Sequence, residues 1–232
     1  MESPDTAHEA LAALLQRHDS LQREIPPVSA AIAEQAQHMS LPLPSTSICR
    51  RIRDIVIRFR PERLLEVNAS IGLVTSWLLA AHEHHGFHPI SHHVLDRGGK
   101  FGVILQRLIA RFGSPEHVHL CIAEYDALLA ESRAVQALAD SGSHHLPTEV
   151  DMVIVDVMSH PDVSDVSVAL SHLRKGGLLI VVEPPEPPED ASKDDPSVIR
   201  FQSWIDLIHR EHDRRAISFV PITGGVLVGM QG

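Results

Sequence analysis

The sequence has little cysteine and lacks any long apolar run. Its two cysteines, Cys49 and Cys121, lie far apart in the chain, so no disulfide framework is predicted. No stretch approaches the ~20 apolar residues of a membrane span. The polar, acidic N-terminus also differs from the basic and then apolar pattern of a signal peptide. Together these features favour a soluble cytoplasmic protein.

Positive charge is also scarce. The chain has 20 Lys and Arg residues against 30 Asp and Glu residues, which gives a formal net charge of −10. Nucleic-acid binding relies on an excess of basic side chains, so this balance argues against such a partner. One local cluster of arginines runs against the trend, and we interpret it as a solvated helix face in preference to an RNA contact. It comprises Arg50, Arg51, Arg53, Arg58, Arg60 and Arg63.

The length and the apolar content are sufficient for one sizeable core. The chain has 232 residues, 44% of them hydrophobic, and its strand-like apolar runs alternate with amphipathic helix patterns. One α/β domain is the simplest prediction. We divide the chain into an N-terminal helical cap segment, residues 1–45, and an α/β domain, residues 46–232.

The stretch from Arg63 to Ala81 organises the rest of the chain. A buried-strand pattern passes through a small-residue turn, residues 68–72, into an apolar helix pattern. Such a turn lets the backbone approach a nucleotide closely, and the helix N-terminus offers unpaired N–H groups. Glu66, at the end of the strand, would repel a pyrophosphate but suits a cationic ligand.

This stretch resembles the first signature of the class I S-adenosylmethionine (SAM)-dependent methyltransferases, in particular the catechol and caffeoyl-coenzyme-A O-methyltransferases. Their pattern is Leu-Glu-Ile-Gly-Thr-x-Thr-Gly-Tyr-Ser, and Gly72 matches its second glycine. Asn68 replaces the first glycine, and Asn tolerates positive φ. Ile71 and Val74 replace hydroxyl residues. The resemblance implies a Rossmann-like, doubly wound, mostly parallel seven-stranded sheet with N-terminal helices and a C-terminal antiparallel β-hairpin.

Further cofactor ligands are implied by the resemblance at the ends of later strands. Asp96 ends the second strand, where an acid is able to accept both ribose hydroxyls. Asp126 and Ala127 match an Asp-Ala pair that reaches the adenine amino group, and Asp126 is also suited to capping a helix. Met39, in a segment that covers cofactor and substrate in the family, is a candidate pocket residue, with a plain linker as the alternative.

The chemistry is predicted at two strand ends. Asp156 matches the family acid that binds a divalent metal and lies beside the reacting methyl group. Glu183 and Pro184 stand where the family has an Asp-Asn pair, so Asp156 and Glu183 remain as two carboxylates able to hold Mg²⁺. His160, or a histidine of a loop, is the candidate general base if no metal takes part. Metal-assisted and metal-free deprotonation are both left open.

Two further segments attract attention. The histidine-rich stretch, residues 82–93, is the densest part of a chain with 17 histidines. Its spacing follows no zinc-ligand pattern, so we interpret it as an exposed loop that titrates near neutral pH in preference to a metal site. Residues 184–196 are acidic and rich in proline, and they form a stiff loop suited to act as a lid.

The predicted function is SAM-dependent O-methylation of a small hydroxylated molecule, with Met39, Glu66, Asn68, Gly72, Asp96, Asp126, Ala127 and Asp156 as cofactor-binding residues. The alternative is a non-catalytic methyltransferase-like protein that binds the cofactor or a protein partner. A nucleic-acid methyltransferase is disfavoured by the negative charge. Related enzymes commonly form homodimers, and the oligomeric state of this chain is left open.

Overall fold

The computed structural model describes residues 4–16, 24–137, 146–158 and 163–232. The helices within these ranges are Pro4–Gln16 (α1), Pro27–His38 (α2), Thr46–Phe59 (α3), Leu73–His85 (α4), Gly99–Arg111 (α5), Tyr125–Ala137 (α6), Ser164–His172 (α7) and Pro196–His212 (α8). The strands are Arg63–Val67 (β1), Ser91–Asp96 (β2), Val118–Ile122 (β3), Val150–Asp156 (β4), Leu173–Val182 (β5), Ala216–Ile222 (β6) and Gly225–Gln231 (β7).

The strands form one seven-stranded sheet in the order β3-β2-β1-β4-β5-β7-β6. Strands β1 to β5 pair in parallel, and β7 joins β5 and β6 in antiparallel pairs. The sheet and its C-terminal hairpin therefore confirm the predicted fold class. The chain changes direction across the sheet between β1 and β4, and in open α/β sheets ligands bind at the carboxyl ends of the strands beside such a point.

Helices cover both faces of the sheet, and they create two apolar layers. Alternate side chains along a strand point to opposite faces. Leu64, for example, packs with α1 to α5 on one face, and Leu65 packs with α6 to α8 on the other. We call these the α4 face and the α7 face. Because both faces are buried, the central strands are almost continuously apolar.

The arginines of α3 were expected to form a solvated face, but not all of them are exposed to solvent. Ser45 caps this helix as a good N-cap residue should, by accepting a hydrogen bond from the N–H of Ile48 at 3.2 Å. Arg53 is only 3% exposed. It is paired with Asp54 at 2.6 Å, and its guanidinium lies 5.4 Å from the ring centroid of Trp77. A neighbouring carboxylate and an aromatic ring thus compensate the burial of this charge.

The histidine-rich segment is only in part the exposed loop that was expected, since residues such as His84 and His88 are exposed but others are buried. Helix α4 continues through His82, and β2 begins at Ser91, so that His82, His92 and His93 are buried. Burial lowers the pKa of His82, to about 2, and the pKa of His92, to about 3. His82 and His92 therefore do not titrate near neutral pH.

Two other features of the described chain bear on the predictions. No helix within the described ranges combines the length and the apolar content needed to cross a bilayer. The proline-rich segment joins β5 to α8, and Asp195 ends it as the N-cap of α8 by accepting a hydrogen bond from the N–H of Ser197 at 2.8 Å.

Candidate active site

The turn between β1 and α4 has the unusual backbone that the sequence analysis predicted. Asn68, Ser70 and Gly72 have φ angles of 62°, 53° and 85°. Asn68 thus adopts the left-handed conformation expected of a glycine replacement. Gly72 is required for a second reason, because a Cβ atom there would lie 2.4 Å from Leu108 and 2.9 Å from Leu105. The turn brings backbone atoms to the carboxyl edge of β1.

A narrow cleft lies beside this turn, on the α4 face of the sheet. Its enclosed volume is about 10 Å³, roughly the space that one water molecule needs. Three of the predicted site residues line it, namely Glu66, Asn68 and Asp156. The remaining lining residues are apolar and come from the α2–α3 link, β1, the turn after it, α4 and β4: Leu43, Pro44, Val67, Ala69, Leu73, Val74 and Ile154.

Glu66 is at the predicted place, but its carboxyl group is engaged within the protein. Thr75 donates a hydrogen bond to Oε2 at 3.1 Å, and Nε2 of His92 lies 2.6 Å from Oε1. Burial raises the pKa of Glu66 to about 8. The Glu66–His92 pair thus holds one proton near neutral pH and carries no net charge. Glu66 therefore does not present the isolated negative charge that the sequence analysis assigned to it.

Asp96 stabilises the turn from the end of β2. Its Oδ2 accepts a hydrogen bond from the N–H of Ser70, and its Oδ1 accepts one from the N–H of Gly98, both at 2.8 Å. The Asp96 side chain lies outside the lining of the cleft. A carboxylate that accepts the N–H of a left-handed residue helps to hold that residue in place. Asp96 thus shapes the site through the turn.

A polar network that the sequence analysis missed links the turn to α7. The Asn68 amide donates a hydrogen bond to Oδ2 of Asp165 at 2.9 Å, and Arg97 is paired with Oδ1 of the same carboxylate at 2.6 Å. Arg97 also contacts Glu124 at 3.0 Å. The signal that could have revealed this network was Arg97 itself, a basic residue directly after the end of a buried strand.

Three other predicted cofactor residues lie away from the cleft lining. Asp126 and Ala127 are exposed in the first turn of α6, where Asp126 accepts a hydrogen bond from the Ala127 N–H at 2.7 Å. Asp126 is the second residue of α6 and so does not have the N-cap position that was the alternative for it. Met39 is partly buried against the core on the α4 face.

Asp156 and Glu183 are not brought together as a metal-binding pair. Asp156 lies in register with Val182 on β5, so the side chains of these two residues point to the same face. Glu183 follows Val182 and points to the opposite face, where Trp204 donates a hydrogen bond to it at 2.8 Å. Burial raises the pKa of Glu183. The prediction of an Asp156–Glu183 metal site is therefore wrong, because successive side chains at the end of β5 point to opposite faces of the sheet.

Asp156 has the position expected of a reacting group. It ends β4, is 7% exposed, lines the cleft, and accepts a hydrogen bond from the N–H of Met158 at 2.9 Å. His160, the predicted alternative base, lies outside the described residues.

Comparisons with known proteins identify the fold. No family model and no curated protein matches the sequence. An O-methyltransferase from Bacillus cereus in complex with SAH (S-adenosylhomocysteine) has 17% identity and a TM-score of 0.66, and the match covers 97% of this chain and 100% of that one. The O-methyltransferase TomG from Streptomyces achromogenes, involved in tomaymycin synthesis and solved with SAM, has 16% identity and a TM-score of 0.66, with 100% and 99% covered.

A third solved structure, the SAH-bound methyltransferase PaMTH1 from Podospora anserina, has 14% identity and a TM-score of 0.67. The match covers 99% of this chain and 96% of that one. Likeness over the full length of three separate proteins establishes the fold that the sequence analysis predicted, that of class I SAM-dependent methyltransferases. Because fold and function are separable, the activity must be argued from the cleft.

Proposed function

We propose that the protein is a SAM-dependent methyltransferase that methylates a hydroxyl group of a small molecule. The observation that carries this proposal is the turn at residues 68–72, with its left-handed residues, directly beside a cleft that is lined by the Asp156 carboxylate. The matching structures support it, since they are methyltransferases that hold SAM or SAH.

The turn and the start of α4 supply the cofactor contacts in this proposal. The backbone at residues 68–72 approaches the ligand, and the N-terminus of α4 offers N–H groups. Asp96 contributes indirectly, since it fixes the N–H of Ser70. Asp156 supplies the carboxylate that faces the cationic sulfonium, because burial raises the pKa of Glu66 and keeps that carboxyl group largely uncharged near neutral pH.

Methyl transfer requires an aligned nucleophile and the removal of one proton. The bound cofactor supplies an activated methyl group on its sulfonium sulfur. In the proposed reaction, Asp156 accepts the proton of the acceptor hydroxyl. The acceptor oxygen then forms the new O–CH₃ bond as the S–CH₃ bond breaks, and SAH is the second product. The protein contributes alignment and a buried base to this in-line displacement.

A divalent metal at this site does not fit the described residues. Asp156 and Glu183 point to opposite faces of the sheet, and Pro184 offers no side-chain ligand. We therefore derive no step through a metal at Asp156. Added Mg²⁺ is expected to leave turnover unchanged.

The cleft must widen to admit SAM. A volume of about 10 Å³ is far below the several hundred Å³ of ordinary ligand pockets. Leu43 and Pro44 form part of its wall and belong to the irregular link between α2 and α3. We infer that this link moves outward when the cofactor binds, because a loop moves at lower cost than the strands and helix that form the other walls.

The test combines calorimetric titration with SAM and SAH and a methyl-transfer assay on a panel of hydroxylated aromatic molecules. We expect micromolar binding of both ligands and methylation of at least one acceptor. Asp156→Asn should lower turnover by about 100-fold or more, since that is the usual contribution of a general base. Its affinity for SAH should change little, because an amide oxygen is also able to accept the Met158 N–H.

Asp206→Asn is the matched control, since Asp206 is exposed on α8 and bonded to Gln202. This variant should retain full turnover. Absence of SAM and SAH binding up to millimolar concentration would overturn the proposal. Unchanged turnover of Asp156→Asn would remove Asp156 from the catalytic role and leave cofactor binding standing.

A further inference from the structure

Three histidines from separate segments meet at the amino edge of the sheet, away from the cleft. His82 lies in the last turn of α4, His88 lies in the loop after this helix, and His117 lies just before β3. The carbonyl of His117 accepts a hydrogen bond from the N–H of His92 at 2.7 Å, which ties this segment to β2. Helix α4 therefore holds one of the three histidines in place, and the hydrogen bond to β2 holds another.

The three rings are spaced slightly more widely than the ligands of a bound metal ion. One ring nitrogen from each residue lies within 4.8 Å of the other two. The ring centroids are 5.1 Å apart for His88 and His117 and 6.1 Å apart for His82 and His117. A tetrahedral Zn²⁺ with Zn–N bonds of about 2.1 Å requires nitrogens about 3.4 Å apart. Small rotations of the three rings, of which the exposed His88 is the freest to move, would close that difference.

Unsatisfied ring nitrogens at the centre of the cluster point to a ligand. His82 is 1% exposed, and neither of its ring nitrogens has a hydrogen-bond partner. Nε2 of His117 is likewise buried and without a partner. An unpaired buried polar group costs about 1–3 kcal/mol, so such groups in a native structure call for an explanation. A bound metal ion would satisfy one nitrogen of each ring.

We propose that His82, His88 and His117 form a binding site for a transition-metal ion of the zinc type. Imidazole nitrogens suit Zn²⁺, Co²⁺, Ni²⁺ and Cu²⁺, whereas Mg²⁺ and Ca²⁺ require oxygen ligands. Three protein ligands leave one position of a tetrahedron open. A solvent water would complete the shell at that position.

The metal would fasten α4 to the sheet at the end opposite the cofactor turn. Gly72 caps one end of this helix, and His82 lies near the other, in a helix of 13 residues that is roughly 20 Å long. The ring of His92 stands between the two sites, 5.6 Å from the ring of His82 and bonded to Glu66. The metal therefore has a structural role, and its binding is expected to raise the stability of the folded chain.

The experiment uses tag-free protein that has been dialysed against a chelator and then titrated with Zn²⁺ and, separately, Co²⁺. We expect one tight site per chain, a tetrahedral visible spectrum with Co²⁺, and a rise in Tm on Zn²⁺ binding. Excess Mg²⁺ should not compete. His88→Gln, at an exposed residue that tolerates substitution, should weaken Zn²⁺ binding at least 10-fold, and the double variant with His117→Gln should abolish both the tight site and the Tm shift.

A double variant with His84→Gln and His85→Gln is the matched control, since these residues end the same helix and contact each other outside the cluster. It should keep the tight site. Equal affinity of the His88→Gln and His117→Gln double variant and the wild type, or no tight site in the wild type, would overturn the proposal. Both readouts are independent of SAM and methyl transfer, so failure here and failure of the proposed function are distinguishable.

Discussion

At the scale of single residues, the most informative side chain is Glu66. The family signature suggests a carboxylate that attracts the cationic cofactor. The structure instead surrounds it with Thr75 and His92, and burial raises its pKa to about 8. A buried carboxyl that shares a proton with a histidine acts as a hydrogen-bonding link between β1, α4 and β2. Its charge and its hydrogen bonds can be separated by substitution.

Glu66→Gln preserves the hydrogen bonds and removes the ability to carry charge. The amide oxygen is able to accept from Thr75, and the amide N–H₂ is able to donate to His92. We therefore expect the SAH affinity to stay within about threefold of the wild type. A threefold change in affinity corresponds to less than about 1 kcal/mol of binding free energy. Calorimetric titration of the variant with SAH is the measurement.

Glu66→Ala is the companion variant, because it leaves buried partners unsatisfied. We expect a loss of stability of about 1–3 kcal/mol in urea unfolding. A loss of SAH affinity of tenfold or more in Glu66→Gln, with stability intact, would show that Glu66 is charged in the complex and that this charge binds the cofactor.

At the scale of elements, the polar network around Asp165 connects the turn after β1 to α7 and to the end of β2. The Asp165 side chain is only 3% exposed, whereas that of Glu124, at the other end of the network, is 59% exposed. Burial decides how much each ion pair contributes to stability. Solvent and salt screen the attraction in an exposed pair and screen it much less in a buried pair.

Asp165→Ala should destabilise the fold far more than Glu124→Ala. Loss of Asp165 leaves the Asn68 amide and the largely buried Arg97 without their shared carboxylate, and such losses cost up to about 3–5 kcal/mol. Loss of Glu124 should cost no more than about 1 kcal/mol. Urea unfolding of the two variants provides the comparison, and equal losses would contradict the assignment of the network to the buried carboxylate.

The elements themselves were largely predictable, because their signals are local. The N-cap at Ser45 and the apolar stripe of α3 are both patterns within one segment. The failures came where distant segments meet. Arg53 is buried where Trp77 of α4 lies against it, and His92 is buried because β2 pairs with β1 through Leu64. Residue patterns in one segment carry no information on such partners.

At the scale of the whole molecule, the same reasoning explains which parts of the site were predicted. Strand ends are visible in the sequence, so Glu66, Asp96 and Asp156 were correctly placed at one edge of the sheet. The direction of each side chain depends on register, which is set between strands. A shift of one residue separates Asp156 from Glu183 across the sheet. The histidine cluster was missed for the same reason, since His117 is distant in the chain from His82 and His88.

The response of the whole protein to acid has one contributor well away from both sites. His172, at the end of α7, is fully buried, and its Nδ1 lies 2.9 Å from the Tyr125 hydroxyl. Its Nε2 lies 2.6 Å from the carbonyl oxygen of Pro147. The neutral ring satisfies both contacts, by donating to the carbonyl and accepting from the hydroxyl. Burial lowers the pKa of His172.

The sign of the effect follows from this lowered pKa. Above pH ~6.5, the pKa of an unperturbed histidine, neither the folded nor the unfolded chain holds a proton on His172, and its full contribution to stability is present. Below that pH, His172 binds a proton in the unfolded chain but stays neutral in the folded chain. Stability should therefore fall as the pH decreases, by up to about 1.4 kcal/mol per pH unit from this residue.

His172→Gln isolates the contribution, since glutamine has an amide donor and acceptor but does not titrate. We expect the stability difference between wild type and variant, measured by urea unfolding from pH 8 to pH 5, to be largest at the alkaline end and to shrink below pH ~6.5. His38→Gln, at an exposed residue of α2, should give a difference near zero throughout. A His172→Gln difference that stays constant or widens towards pH 5 would mean that the folded protein accepts the proton, and that Tyr125 reorients to receive it.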